Sequence, residues 1–484
     1  MSDLWIRGGT VVTARGAFPG DILIRNGRIA AVVHRDGPLA LLEPPAGSGS
    51  GQESAAGASG AQEIAGGPVP VLDATGLYIL PGLVDVHVHF RDPGLTHKED
   101  FTSGTAAAAC GGVTTVLEMP NTMPPVATAA LFEEKRRHLA GRSYVDYGLY
   151  GVIDEANFEH LPALAKAGAI AFKLFLGPTT GDIRAPGWGR LMDVFSTVAE
   201  LGLPLVVHAE DRDVIDYHVQ KAGPDLDALD YRGFLATRPP FGELAATQTT
   251  FLLALMTGAR VHIAHVTLGA AVDLIRVARE QGAPVTAETC PPYLLMTAED
   301  CVRLGPATKI LPPIRDKADQ ERLWEGLHDG TLEVISTDHA PHLTEEKATK
   351  SWAAAPGGMI GVETILPSLL TASSEGRLTL PQLVEWTSTR PAQIFGLGER
   401  KGDIRPGLDG DLVLVDLGAE WTLRPEDLHS KSTNSPLLGA RLRGKVVHTV
   451  VGGRLVVESG RLVGAPGGRW LPGPAMDTAG GSQA

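Results

Sequence analysis

The sequence predicts an α/β protein: a (β/α)8, TIM-like barrel carrying a small β-sandwich domain assembled from both ends of the chain. Two observations predict it. Eight apolar runs of strand length alternate with helix-period stretches through the middle, and alternating β patterns bounded by turn residues stand at both ends. A doubly wound open sheet is the alternative, but no GxGxxG or Walker-type glycine loop supports a nucleotide-binding version of it.

Near the start, LWIRGGTVVT and GDILIRNGRIAAVV are strand-length runs separated by Gly and Asn-Gly, residues that accept the positive φ of tight hairpins. Residues 43–70, EPPAGSGSGQESAAGASGAQEIAGGPVP, have no aromatic residue and no apolar period. Such a stretch cannot bury enough surface to offset its ordering entropy, so a flexible insertion is expected there. The barrel is expected over 78–396, with strands in GLVDVHVHF, GVTTVLEMP, YVDYGLYGVI, AIAFKLFL, PLVVH, ARVHIAH, PVTAETC and LEVISTD. After it, GDLVLVDL and KVVHTVVGGRLVVESGRLV return to the β pattern. Each end alone is short of core, so 1–77 and 397–470 are expected to form one domain, with 471–484 a disordered tail.

Of 484 residues, 43% are apolar and 20% charged, as in a globular protein. The 56 acidic against 42 basic side chains give a net charge of −14. That balance argues against nucleic acid or an anionic membrane as main partner, while leaving room for a local basic pocket. No apolar run approaches the roughly 18 residues of a membrane span, and Met-Ser-Asp-Leu-Trp lacks the features of a secretory signal. Cys110, Cys290 and Cys301 are odd in number and widely spaced, which suits reduced thiols in a cytoplasmic protein.

The chemistry lies at the C-terminal ends of the barrel runs. The first ends in His87-Val88-His89, the fourth carries Lys173, the fifth ends in His208, the sixth in His265 and the eighth in Asp338. Barrel enzymes gather their sites on that face. Strand alternation puts His87 and His89 on one side, where two imidazoles can share a metal. Imidazole and carboxylate suit zinc or a similar divalent ion. Lys173 stands in AIAFKLFLG, where an unpaired ammonium is costly. Conversion to a carbamate would make it an anionic oxygen ligand able to bridge two ions.

The ordered set PGLVDVHVHFRDPG, FKLFLG, VVHAE, HIAHV, STDHAPH and GDLVLVDL resembles the amidohydrolase superfamily, in its cyclic-amidase branch of dihydroorotases, allantoinases and hydantoinases. The resemblance implies two divalent metal ions, zinc foremost: His87, His89 and Asp338 on one, His208 and His265 on the other, and carboxylated Lys173 bridging them. His262 is expected to be structural. Asp338 is implied as the general base that later acts as acid.

Within that branch, the resemblance is nearest to dihydroorotases, in which the residues matching Arg91, Asn121 and His342 hold a substrate carboxylate. Arg supplies a planar fork for it; allantoinases commonly carry Asn at the position of Arg91. PGGMIGVET, with Gly358, is implied to bond the ring amide through its backbone; Thr179 and Thr180 resemble the loop that closes over substrate in some dihydroorotases, a plain turn in GPTTGD being the alternative. Pro178 stands where hydantoinases place a Tyr. Two segments depart from the dihydroorotase pattern: Leu311 in KILPPIR replaces Asn, and Cys290-Pro291-Pro292-Tyr293 replaces CPHH. The expected activity is reversible hydrolysis of dihydroorotate in pyrimidine biosynthesis, on a small anionic cyclic amide. The expected assembly is a homo-oligomer, with aspartate transcarbamoylase as a further partner. Allantoinase or another cyclic ureide hydrolase is the second reading, and a catalytically inert scaffold the third.

Overall fold

The computed structural model describes residues 3–35, 40–41, 69–181 and 183–476. Its N-terminal strands are β1 (Leu4–Thr13), β2 (Gly16–Arg25), β3 (Arg28–His34), β4 (Ala40–Leu41), β5 (Val71–Asp73) and β6 (Tyr78–Pro81). The first four form an antiparallel meander, and its β2–β3 turn uses Asn26 and Gly27, both at positive φ. The barrel strands follow: β7 (Leu83–Val88), β8 (Val113–Glu118), β9 (Asp146–Ile153), β10 (Ala171–Phe175), β11 (Leu205–His208), β12 (Val261–Ile263), β13 (Val285–Thr289) and β14 (Val334–Ile335). They are parallel and pair in chain order. Almost every residue in them is buried, because helices cover the outer faces and the strands therefore read as continuous apolar runs.

The ring closes beyond β14. Val88 bridges His339 in parallel, His89 N donates to His339 O at 2.8 Å, and Thr337 N and Oγ1 donate to the Asp85 carboxylate at 3.1 and 2.5 Å. Thus the predicted barrel is the observed one, with a strand in each of the eight predicted runs.

β15 (Leu412–Thr422), β16 (Arg441–Val451), β17 (Arg454–Glu458) and β18 (Arg461–Leu462) complete a ten-stranded sheet with the N-terminal strands. β6 is the seam: it runs parallel to β1 on one side and antiparallel to β15 on the other. The expected boundary at 78 is corrected here. Tyr78–Pro81 belongs to this sheet, and the barrel begins after Gly82, where a Cβ would collide with the Thr114 side chain.

A buried charge cluster joins the two domains. Lys401 Nζ lies 2.6 Å from Asp146 at the start of β9 and 3.1 Å from Asp409, and it also bonds Asp411. Arg469 Nη2 bonds Asp146 and Asp409 at 2.6 and 2.8 Å. The insertion expected at 43–70 lies outside the described residues except for Val69 and Pro70. The tail expected at 471–484 is corrected over 471–476. Leu471 is buried, its N donates to Tyr147 O at 2.7 Å, and Gly473 N donates to Gly168 O at 2.9 Å. Residues 477–484 lie outside the described residues.

Candidate active site

The ends of five barrel strands bring six side chains together at one mouth. His87 Nε2 and His89 Nε2 lie 3.4 and 3.2 Å from Asp338 Oδ1, and His208 Nδ1 lies 3.0 Å from His265 Nε2. The His87 and His265 rings are 5.3 Å apart, and Lys173 Nζ stands 3.5 Å from His87 Nε2. These separations have a simple reading. Ligands about 2.0–2.1 Å from a tetrahedral zinc ion lie about 3.3 Å from one another. The donor atoms therefore already sit near the spacing that a shared cation imposes, and the residues fit a metal centre.

Protonation favours the same use. Burial lowers His89 to about 3, and burial together with His208 holds His265 well below its ordinary value, so both present lone pairs. Burial pushes the Asp338 carboxyl up, but His87 and His89 outweigh it and hold the group ionised. Burial brings the Lys173 amine down to about 8, against the pull of Glu288 and Asp338.

Three of the four imidazoles are held from behind. His87 Nδ1 lies 2.5 Å from Glu288 Oε1, His89 Nδ1 lies 2.8 Å from Asn121 Oδ1, and His208 Nε2 lies 3.0 Å from Glu210 Oε2. Such partners fix the ring and its tautomer. Sequence reasoning missed Glu288 and Glu210. The signal for Glu288 was a carboxylate within the otherwise uncharged buried run VTAET. Its other oxygen lies 3.3 Å from His262 Nε2, while His262 Nδ1 lies 2.8 Å from Thr286 Oγ1. His262 thus stands behind the site.

The backbone is bent to aim these groups. Arg91, His265 and Asp338 have φ of 62°, 38° and 45°, a region that costs a side chain about 1–3 kcal/mol and concentrates at functional sites. Gly358, at φ 140°, lies so close to Ala340 that a Cβ would strike its carbonyl oxygen. Hence the loop from Gly357 can pass directly beside the mouth.

The residues read as a carboxylate clamp are differently engaged. Asn121 holds His89 and donates from Nδ2 to Thr179 Oγ1 at 3.3 Å; Thr180, half-buried, follows. His342 Nε2 lies 3.1 Å from Gly357 O and 3.5 Å from Arg91 Nη2, and its Nδ1 lies 3.1 Å from Lys98 Nζ. Arg91 itself is buried, and its Nε has no hydrogen-bond partner among the described residues. Leu311 packs against the Gly357 turn, and the Tyr293 hydroxyl donates to Pro312 O at 2.9 Å. The two departing segments therefore meet beside the Gly357 turn.

Comparison with known proteins corrects the substrate reading. The profile described as "Amidohydrolase family" matches residues 78–456. An allantoinase of Rubrobacter xylanophilus is 39% identical over 97% of both chains, and other full-length relatives carry the same name. The solved L-hydantoinase (dihydropyrimidinase) of Arthrobacter aurescens superposes with a TM-score of 0.86 at 32% identity, covering 98% of this chain and all of that one. A dihydroorotase of Ruminiclostridium cellulolyticum is 37% identical, but over 80% of this chain and 89% of its own. The dihydroorotase expectation, and pyrimidine biosynthesis with it, is overturned by the full-length allantoinases. Its physical weaknesses are that Asn121 of the clamp serves a histidine and that Leu311, in a departing segment, offers no side-chain donor. The chain belongs to the amidohydrolase family, in its cyclic-amidase branch.

Proposed function

We propose that the chain hydrolyses the ring amide of a cyclic ureide, with allantoin as substrate. The observation that carries this reading is full-length likeness to allantoinases in a chain whose six candidate ligand side chains converge on the barrel mouth. In this reading His87, His89 and Asp338 hold one divalent cation, zinc by ligand preference, and His208 and His265 a second. Lys173, carboxylated on Nζ, would supply an anionic oxygen ligand to both. Carbamate formation needs a neutral amine, and a lysine lowered to about 8 supplies one near neutral pH. When bound, such cations lower the pKa of water and polarise an amide carbonyl.

The chain's own groups do the rest. Asp338 takes the proton of the attacking water and delivers it to the ring nitrogen that leaves. The backbone around Gly358 orients the ring, and Thr179 and Thr180 close over it. Opening an uncharged ring creates a carboxylate, so Arg91, with Lys98 and His342 beside it, suits the charge that develops. Assembly as a homo-oligomer belongs to the same reading: Phe241, Leu252 and Met256 stand 65, 50 and 69% exposed along one helix (Pro240–Thr257). Three free cysteines suit a cytoplasmic setting. The partnership with aspartate transcarbamoylase rested on the dihydroorotase reading and loses its basis.

A hydantoinase is the second reading, favoured by the superposition on the Arthrobacter enzyme. One assay separates them: zinc-loaded protein offered allantoin, hydantoin and 5-substituted hydantoins at equal concentration. Allantoin is expected to have the highest kcat/KM. Turnover of hydantoins without allantoin would replace the first reading by the second.

A further inference from the structure

Where the barrel meets the small domain, three side chains from distant parts of the chain come together. Cys110 ends the helix Phe101–Cys110, Glu363 follows the Gly358 loop, and His429 lies between β15 and β16. Cys110 Sγ lies 3.6 Å from His429 Nε2. Both oxygens of Glu363 face His429, Oε1 at 2.6 Å from Nδ1 and Oε2 accepting from the backbone N at 2.8 Å. One donor atom from each residue falls within 4.8 Å of the others. None of the three takes part in the chemistry at the barrel mouth.

This arrangement admits two uses, and the surroundings choose between them. A thiol, an imidazole and a carboxylate in a row could form an activated nucleophile. That use requires a stabilised thiolate, but Cys110 sits at a helix C-terminus, the negative end of the peptide dipoles. Burial and the Glu363 charge push its thiol up as well. A cation would supply the missing positive charge. The geometry suits one: sulfur about 2.3 Å and nitrogen about 2.0–2.1 Å from a tetrahedral zinc ion lie about 3.6 Å apart, the separation observed. The bond from Glu363 to the far nitrogen is the carboxylate–histidine arrangement that orients a metal-bound imidazole. The His429 side chain is 35% exposed, so an ion can enter.

We propose that Cys110 Sγ and His429 Nε2, with Glu363 holding His429 through Nδ1, bind a thiophilic divalent cation of the zinc class. As the sulfur–cation bond forms, the S–H bond breaks and its proton leaves to solvent; Nε2 takes the cation in place of that hydrogen. Solvent completes the coordination, since both Glu363 oxygens are already committed to His429. An ion here also steadies a segment that reaches the barrel mouth, because Ser432 Oγ donates to His342 O at 2.6 Å.

Cobalt(II) is the probe. The metal-free full chain is titrated with cobalt(II); the residues gathered at the barrel mouth include no cysteine, so sulfur-to-cobalt charge transfer reports the Cys110 site. An absorption that saturates at one cobalt–sulfur centre per chain is expected. Cys110→Ser is expected to abolish the absorption, and Cys301→Ser to keep it. Glu363→Gln should keep it while weakening cobalt binding about 10- to 100-fold. His429→Ala, at a partly exposed position, should lose the absorption with an unchanged melting curve. Absence of the absorption in the unsubstituted chain, or its persistence in Cys110→Ser, would overturn the proposal.

Discussion

Glu288→Gln tests how the mouth is built. The carboxylate is fully buried and serves two imidazoles, His87 Nδ1 at 2.5 Å and His262 Nε2 at 3.3 Å. Burial opposes its charge, yet His87 and His262 hold it well below the ordinary glutamate range. Gln keeps the shape but has one acceptor oxygen and no charge. If that oxygen stays on His87, the bond falls from the charge-assisted class, about 1.5–3 kcal/mol, to the neutral class, about 0.5–1.5 kcal/mol. His262 then faces an amide N–H. Loss of such a partner typically weakens a metal site about 10- to 100-fold, or about 1.4–2.7 kcal/mol. Competition with a chromophoric chelator reads the zinc affinity, and kcat/KM on allantoin is measured alongside, with a melting curve to confirm folding. A folded variant with parental zinc affinity and parental turnover would refute the role given to Glu288.

Further outcomes are expected. Dialysis against a chelator should abolish turnover, and zinc should restore it faster with bicarbonate than without; recovery indifferent to bicarbonate would count against a carbamate on Lys173. Lys401→Met leaves Asp146, Asp409 and Asp411 short of a buried cation. It should cost about 3–5 kcal/mol in a denaturant titration, and a loss below about 1 kcal/mol would show the cluster to be well solvated. Burial and Lys309 lower Lys347 to about 7. Between that value and its ordinary 10.5 the unfolded chain holds the extra proton, so stability should rise with pH by up to about 1.4 kcal/mol per unit. Lys347→Met should flatten that rise, and an identical pH profile in the variant would contradict it.

The barrel was legible because parallel strands buried on both faces leave continuous apolar runs, and the helices between them keep a helical period. The convergence of His89, His208, His265 and Asp338 was legible because each stands at or just after the end of a run, and that of His87 and Lys173 because a polar side chain interrupts an apolar strand. The edges were harder. YILP and LVDVHV form one apolar stretch interrupted by Gly82, and no periodicity tells which sheet an apolar strand joins. The residues at 471–476 read as tail because their packing partners, Tyr147 and Gly168, are some 300 residues away. Glu288 and Glu210 escaped notice since an acidic residue gains meaning only when the imidazole behind which it stands is known. The substrate was misread for a related reason. Arg91 and Asn121 have the side chains of a carboxylate clamp, but only the fold shows Asn121 occupied by His89.

The seam strand β6 carries a consequence for synthesis. Its outer edge is covered by β15, whose first residue leaves the ribosome roughly 330 residues later. At typical rates that is about 15 to 65 s. During this interval the nascent N-terminal sheet exposes an apolar edge able to pair with another chain. A chaperone that engages nascent chains should therefore raise the yield of soluble protein. A chain terminated before Leu412 should aggregate through that edge even though its barrel is complete.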